Sequence, residues 1–95
     1  MARNAEASRR AREWVVEYLQ QHPCVDCGTG DLRVLTFDHR DPGHKRAEIS
    51  ALVANGYSLE AVTEEVAKCD VRCANCHLIR TREQRGWWRA HAAEG

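Results

Sequence analysis

Cys24-Val25-Asp26-Cys27 and Cys73-Ala74-Asn75-Cys76 constrain this chain more than any other feature. Two residues between paired cysteines let both thiolates converge on one tetrahedral ion, and two such knuckles supply four ligands. Forty-five residues separate the pairs, so a substantial folded structure must close on itself between them. Disulfides are the competing reading. The five cysteines make an odd count, and the start, MARNAEASRRAREW, has no apolar core like that of a secretion signal. Reduced thiols in a cytoplasmic setting are therefore expected. Neither pair has the βαβ surroundings of a redox C-x2-C. The expectation is a structural zinc ion on Cys24, Cys27, Cys73 and Cys76, with Cys69 left as a buried or half-buried free thiol.

Size makes such a staple physically useful. The 95 residues suit one domain. Setting aside Ala and Cys, only 23 larger apolar or aromatic side chains remain. A core that small gives marginal stability unaided. No apolar run approaches the roughly 20 residues that span a bilayer, so a membrane protein is not expected. A charged fraction of 29% beside six aromatic residues also argues against wholesale disorder.

The net charge is zero, but it is unevenly spread. Lys68 to Arg89 carries a net +4, whereas Leu59 to Glu65 carries −3 through Glu60, Glu64 and Glu65. A local basic face on a neutral protein can still dock a phosphate backbone.

Four segments follow from periodicity and punctuation. Ala5 to Gln21 reads as a helix, with Ala11, Trp14, Val15, Tyr18 and Leu19 on one face and Pro23 as its stop. Arg3, Arg9, Arg10 and Arg12 lie toward its start. Leu32 to Phe37 reads as a strand, with Leu32, Val34 and Thr36 on one face and Asp41-Pro42-Gly43 ending it. Ile49, Leu52 and Val53 suggest a short helix closed by Asn55-Gly56. Ser58 is placed to cap a helix carrying Leu59, Val62 and Val66. An extended piece, Asp70 to Arg72, leads into a last helix running through Arg85 toward His91, with Gly86 a weak point. Trp87 and Trp88 are read as packing against the first helix. The organisation expected is an N-terminal helix, 1–22, packed on a core formed by 23–95.

Two further signals carry chemistry. Asp38-His39 ends the strand, where adjacent side chains point to opposite sides, so one can bind a metal while the other faces a substrate. His77 directly follows the fourth cysteine and is therefore held by the knuckle. Taken together, C-x2-C, then Leu35-Thr36-Phe37-Asp38-His39-Arg40-Asp41-Pro42, then Val71-Arg72-Cys73-Ala74-Asn75-Cys76-His77 with Thr81 beyond, resemble the HNH endonuclease family. The resemblance runs from Cys24 to about Arg82. It implies an α+β fold with a ββα-metal core, in which a β-hairpin and a helix clasp one divalent ion beside the zinc knuckles. It makes 23–95 the nuclease domain. It also implies that Asp38 and His77 ligate the catalytic ion and that His39 is the general base. Many members carry a middle Asn a few residues before the second C-x2-C. Val66-Ala67-Lys68-Cys69-Asp70 has none, which leaves Asn75 as the nearest candidate.

The same chemistry can be argued from phosphodiester hydrolysis itself, which needs an activated water and neutralisation of charge on the phosphoryl oxygens. Imidazole titrates near pH 6.5 in model peptides, which suits a general base at physiological pH. One carboxylate and one imidazole leave most positions of an ion open; oxygen-rich coordination favours Mg²⁺ or Mn²⁺, and an imidazole also admits Ni²⁺ or Co²⁺. Arg80, Arg82 and Arg85, together with Lys45, are candidate phosphate contacts, which position a duplex without reading its sequence. The function expected is a metal-dependent DNA endonuclease, akin to components of phage packaging, restriction or mobile-element systems. The alternative is a non-catalytic zinc-bound module that binds nucleic acid or protein. An RNA-directed nuclease is a third. His39→Ala is expected to abolish cleavage and leave zinc content and fold intact.

Overall fold

The computed structural model describes residues 5–86 together with Trp88 and Arg89. Arg3, Trp87 and His91, which the sequence reading places on the outer helices, lie outside the described residues. Helix α1 spans Ala5–Gln21. Its outer face is laced by Arg9, which reaches Glu6 and, at 2.6 Å, Glu13. Its inner stripe buries Ala11 and Leu19. It ends before His22-Pro23 for the stereochemical reason the sequence suggests.

Strand β1, Leu35–His39, pairs antiparallel with β2, Cys69–Cys73, in the register Leu35↔Cys73 to His39↔Cys69. The expected strand, Leu32 to Phe37, is thus displaced toward the C-terminus. Asp31 explains the shift. Its side chain accepts from the Arg33 N–H at 3.0 Å, and its carbonyl accepts from the Val34 N–H at 3.1 Å. That closes a turn over the first residues of the expected strand, which leaves Leu32 and Val34 exposed. The strand runs on instead to His39 and stops where Asp41 caps a short 3-10 turn, Pro42–His44.

The two strands are not joined by a tight turn. Between them lie α2, Ile49–Ala54, and α3, Leu59–Val66. Ser58 caps α3 by accepting from the Ala61 N–H at 3.1 Å. Gly56, at φ +73°, reverses the chain between the helices. After β2, α4 spans Ala74–Arg85. Its N-cap is a cysteine: the Cys73 sulfur accepts from the Cys76 N–H at 3.4 Å. Gly86 ends it in the left-handed region at φ +68°.

The architecture is a small α+β fold, with four helices and a two-stranded antiparallel sheet among the described residues. Helices α1, α2 and α3 bury Ala11, Ile49, Leu52, Val53, Val62 and Val66 together with Cys69. Leu19, Leu35 and Val71 gather with Cys24, Cys73 and Cys76 in a second cluster. Val15, Tyr18 and Phe37 pack against both, so one continuous apolar seam links the helices to the cysteine end. Ser8 ties α1 to α2 by donating to the Val53 carbonyl at 2.8 Å. No described helix is long and apolar enough to cross a membrane.

Candidate functional site

The first knuckle is turned back on itself by the Gly28 N–H donating to the Cys24 carbonyl at 2.9 Å, with Gly28 at φ +80°. The Val25 N–H donates to the Val71 carbonyl at 2.9 Å, which fastens this knuckle to β2. The Ala74 N–H reaches the Val34 carbonyl at 2.7 Å and fastens the second. The result brings Cys24, Cys27, Cys73 and Cys76 together, with all four sulfurs within 4.8 Å of one another. A tetrahedral ion with ~2.3 Å bonds to sulfur needs edges of about 3.8 Å. Cys27 and Cys73 stand 3.7 Å apart, so that edge has the right length. None of the four is disulfide-bonded.

The electrostatics of the quartet agree. Burial opposes ionisation of Cys24, yet the backbone N–H groups of Cys27, Cys73 and Asp26 outweigh it and bring the thiol down to about 6. The neighbouring sulfur of Cys73, reinforced by burial, pushes Cys76 up to about 12. Four crowded thiols cannot all ionise without a cation among them. The four cysteines could together hold a metal ion such as zinc. Cys69 stands apart as a buried free thiol, pushed up to about 11 by burial and then by the charge of Glu65.

The adjacency of Cys76 and His77 carries the next step. Holding Cys76 in the knuckle fixes the first turn of α4, and His77 then faces β1. Its Nε2 lies 3.7 Å from Asp38 Oδ1. The other oxygen of Asp38 accepts from Arg80 at 2.8 Å and Arg72 at 3.0 Å. Asp38 is buried at 7% exposure, whereas the His77 side chain is 45% exposed. Ligands ~2.1 Å from one octahedral ion lie between about 3.0 Å (cis) and about 4.2 Å (trans) apart, so the Asp38–His77 spacing suits a shared cation. They make a pair only. Among the described residues, the cysteine quartet is the one group of three or more such ligands close enough to hold an ion.

His39 is on the opposite face of β1, as strand alternation requires. The ring is buried, and Nε2 lies 2.8 Å from Glu65 Oε2. The Glu65 carboxylate also accepts from the Arg46 N–H at 2.9 Å and from Lys68 at 2.8 Å. Burial opposes the charge on Glu65, but Lys68, the Arg46 N–H and His39 overcome it and hold the carboxyl down at about 2. His39→Ala therefore cannot be silent for the fold. It strips a partner from a buried carboxylate and opens a cavity.

The sequence reading missed Glu65, counting it with Glu60 and Glu64 as an acidic run. The signal was there: Glu65 is three residues beyond Val62, on the apolar face of α3. It missed Arg72 as well, which also grips Asp26 at 2.7 Å. Arg80 was expected to meet phosphate, and its guanidinium is spent on Asp38. Lys45 is paired with Glu48. Arg82, Arg85 and Asn75 are exposed on α4. Trp88, beyond Gly86, donates to the Arg82 carbonyl at 3.0 Å, which folds it back over the end of α4.

Two hollows adjoin these groups. One, of about 600 Å³, runs along the free edge of β1 past Val16, Leu19, Leu35 and Thr36 to His77. Its walls are mainly apolar. The other, of about 400 Å³, is lined by Arg40, Asp41, His44, Ala67 and Lys68 at the end of the ribbon beyond His39. Comparison with protein-family models, with curated proteins and with solved structures finds no match.

Proposed function

We propose that this protein is a metal-dependent endonuclease of the HNH type, hydrolysing phosphodiester bonds in DNA, with the cysteine quartet holding structural zinc. The observation that carries the reading is the 3.7 Å approach of Asp38 Oδ1 to His77 Nε2 beside the quartet. The buried Asp38 carboxylate has one oxygen committed to two arginines, which leaves the other facing an imidazole, a carboxylate–imidazole donor pair that a divalent ion can share.

In this reading Asp38 and His77 would hold a divalent ion, Mg²⁺ or Mn²⁺ with Ni²⁺ or Co²⁺ as substitutes. When bound, it would neutralise charge on the phosphoryl and leaving oxygens. Arg72 and Arg80 fix the Asp38 carboxylate so that Oδ1 keeps one orientation. His39, buried on the opposite face of β1, would take the proton of the attacking water. Arg82 and Arg85, exposed on α4, offer cationic side chains to the phosphate backbone. Free, gathered cysteines suit a reducing, cytoplasmic setting.

One observation favours the alternative, a zinc-bound binding module without catalysis. Asp38 and His39 both have cationic or carboxylate partners within the chain, and structural ion-pair networks look the same. Supercoiled plasmid incubated with pure protein in Mg²⁺, Mn²⁺, Ni²⁺, Co²⁺ or EDTA separates the two. Nicking that requires an added divalent ion supports the endonuclease. Retarded plasmid that stays supercoiled in every ion supports the module, and cleavage of RNA alone would redirect the substrate.

A further inference from the structure

Glu65 is the most completely buried charged group described, at 1% exposure, and no part of the scheme above uses it. Its carboxylate is gripped from three segments: Lys68 on Oε1, and the Arg46 N–H and His39 on Oε2. Lys68 is itself held by the His44 carbonyl at 3.0 Å. The carboxylate therefore has a fixed position and orientation.

What Glu65 does to His39 follows from donor and acceptor roles. An ionised carboxylate accepts only, so the ring nitrogen facing it must be the one carrying hydrogen. That nitrogen is Nε2. In the neutral ring, Nδ1 then keeps the lone pair. Nδ1 has no hydrogen-bond partner among the described residues, and no fully buried side-chain nitrogen or oxygen there lacks one. Nδ1 must therefore touch solvent.

We propose that Glu65 is a positioning residue for hydrolysis: by accepting from His39 Nε2–H, it fixes the tautomer whose Nδ1 lone pair faces water. This rests on the endonuclease reading. In the step, an O–H bond of water breaks and its proton goes to Nδ1. The water oxygen forms a bond to phosphorus, and the bond from phosphorus to the 3′ oxygen breaks. The leaving oxygen takes a proton from solvent, and the ring returns its proton to solvent. Glu65 touches none of the reacting atoms. Its part is orientation, as the buried carboxylate has in a hydrolase triad.

The test has two arms. Nitrogen-15 spectra of the wild-type protein read the tautomer directly, without activity, and the Nε2–H form is expected for His39. Steady-state nicking by Glu65→Gln, normalised to folded protein, is expected to show kcat down about 100-fold with KM unchanged, and Glu65→Asp to recover part of it. Wild-type protein with its His39 proton on Nδ1, or Glu65→Gln with wild-type kcat, would overturn the role of Glu65. Wild-type protein with the Nε2–H ring but no nicking in any divalent ion would overturn the endonuclease reading instead.

Discussion

Asp38 and His77 belong to different elements, β1 and α4, yet Oδ1 of one lies 3.7 Å from Nε2 of the other. Neither side chain reaches the other by local geometry. Asp38 is placed by strand pairing and by Arg72 and Arg80, and His77 by its bond to Cys76 in the knuckle. The candidate site therefore inherits its geometry from the cysteine quartet.

That dependence sets the first prediction. Purified protein should carry one tightly held zinc per chain by mass spectrometry. Cys73→Ser should lose it and lower Tm by more than ~10 °C, since structural zinc binding is worth on the order of 10 kcal/mol in folding. Metal content unchanged by that substitution would remove the quartet as the site.

His77→Ala offers the cleanest separation of stability from activity. The side chain is 45% exposed, so its loss should move stability by no more than ~0.5 kcal/mol. Divalent-dependent nicking should fall at least ~100-fold. Nicking at wild-type rate with an unchanged melt would detach His77 from catalysis.

Substituting His39 should behave differently. His39→Ala leaves the Glu65 carboxylate buried without that partner and should cost roughly 2–4 kcal/mol, read as a lower midpoint in urea. His39→Gln, which can still donate to Glu65, should recover much of that stability and stay inactive. Equal stability of the alanine variant and wild type would contradict the buried pair.

Acid should unfold the protein through Glu65. Its folded value, about 2, lies below the ordinary 4.5, so the unfolded chain binds the proton more tightly. The stabilisation is present above about pH 4.5 and is lost as pH falls toward 2, on the order of 3 kcal/mol in all. Glu65→Gln should flatten that acid limb in a series of urea melts. A limb of unchanged steepness would place the acid-labile group elsewhere.

Much of the fold was legible in the chain because it rests on short-range rules. The stripe on α1, the Ser58 cap and the Asn55-Gly56 stop depend on neighbours within a few residues, and each appears where periodicity or punctuation put it. The last helix, expected to run toward His91 with Gly86 a weak point, ends instead at Gly86 in the left-handed region. The knuckle spacing likewise implied a shared ion, and the quartet gathers as four ligands must. β1 was misplaced because a side-chain turn at Asp31 competes with extended pairing, and binary pattern does not register that competition.

Tertiary structure alone decided the partners. Which oxygen of Asp38 is tied to arginine, which face His39 takes, and why Glu65 is buried all depend on contacts between segments distant in the chain. The sequence by itself determined the ligand types and the elements that carry them. Only the closure of β1 against β2, with α3 beneath and α4 above, decided which charges meet, because such energies depend on distance and burial.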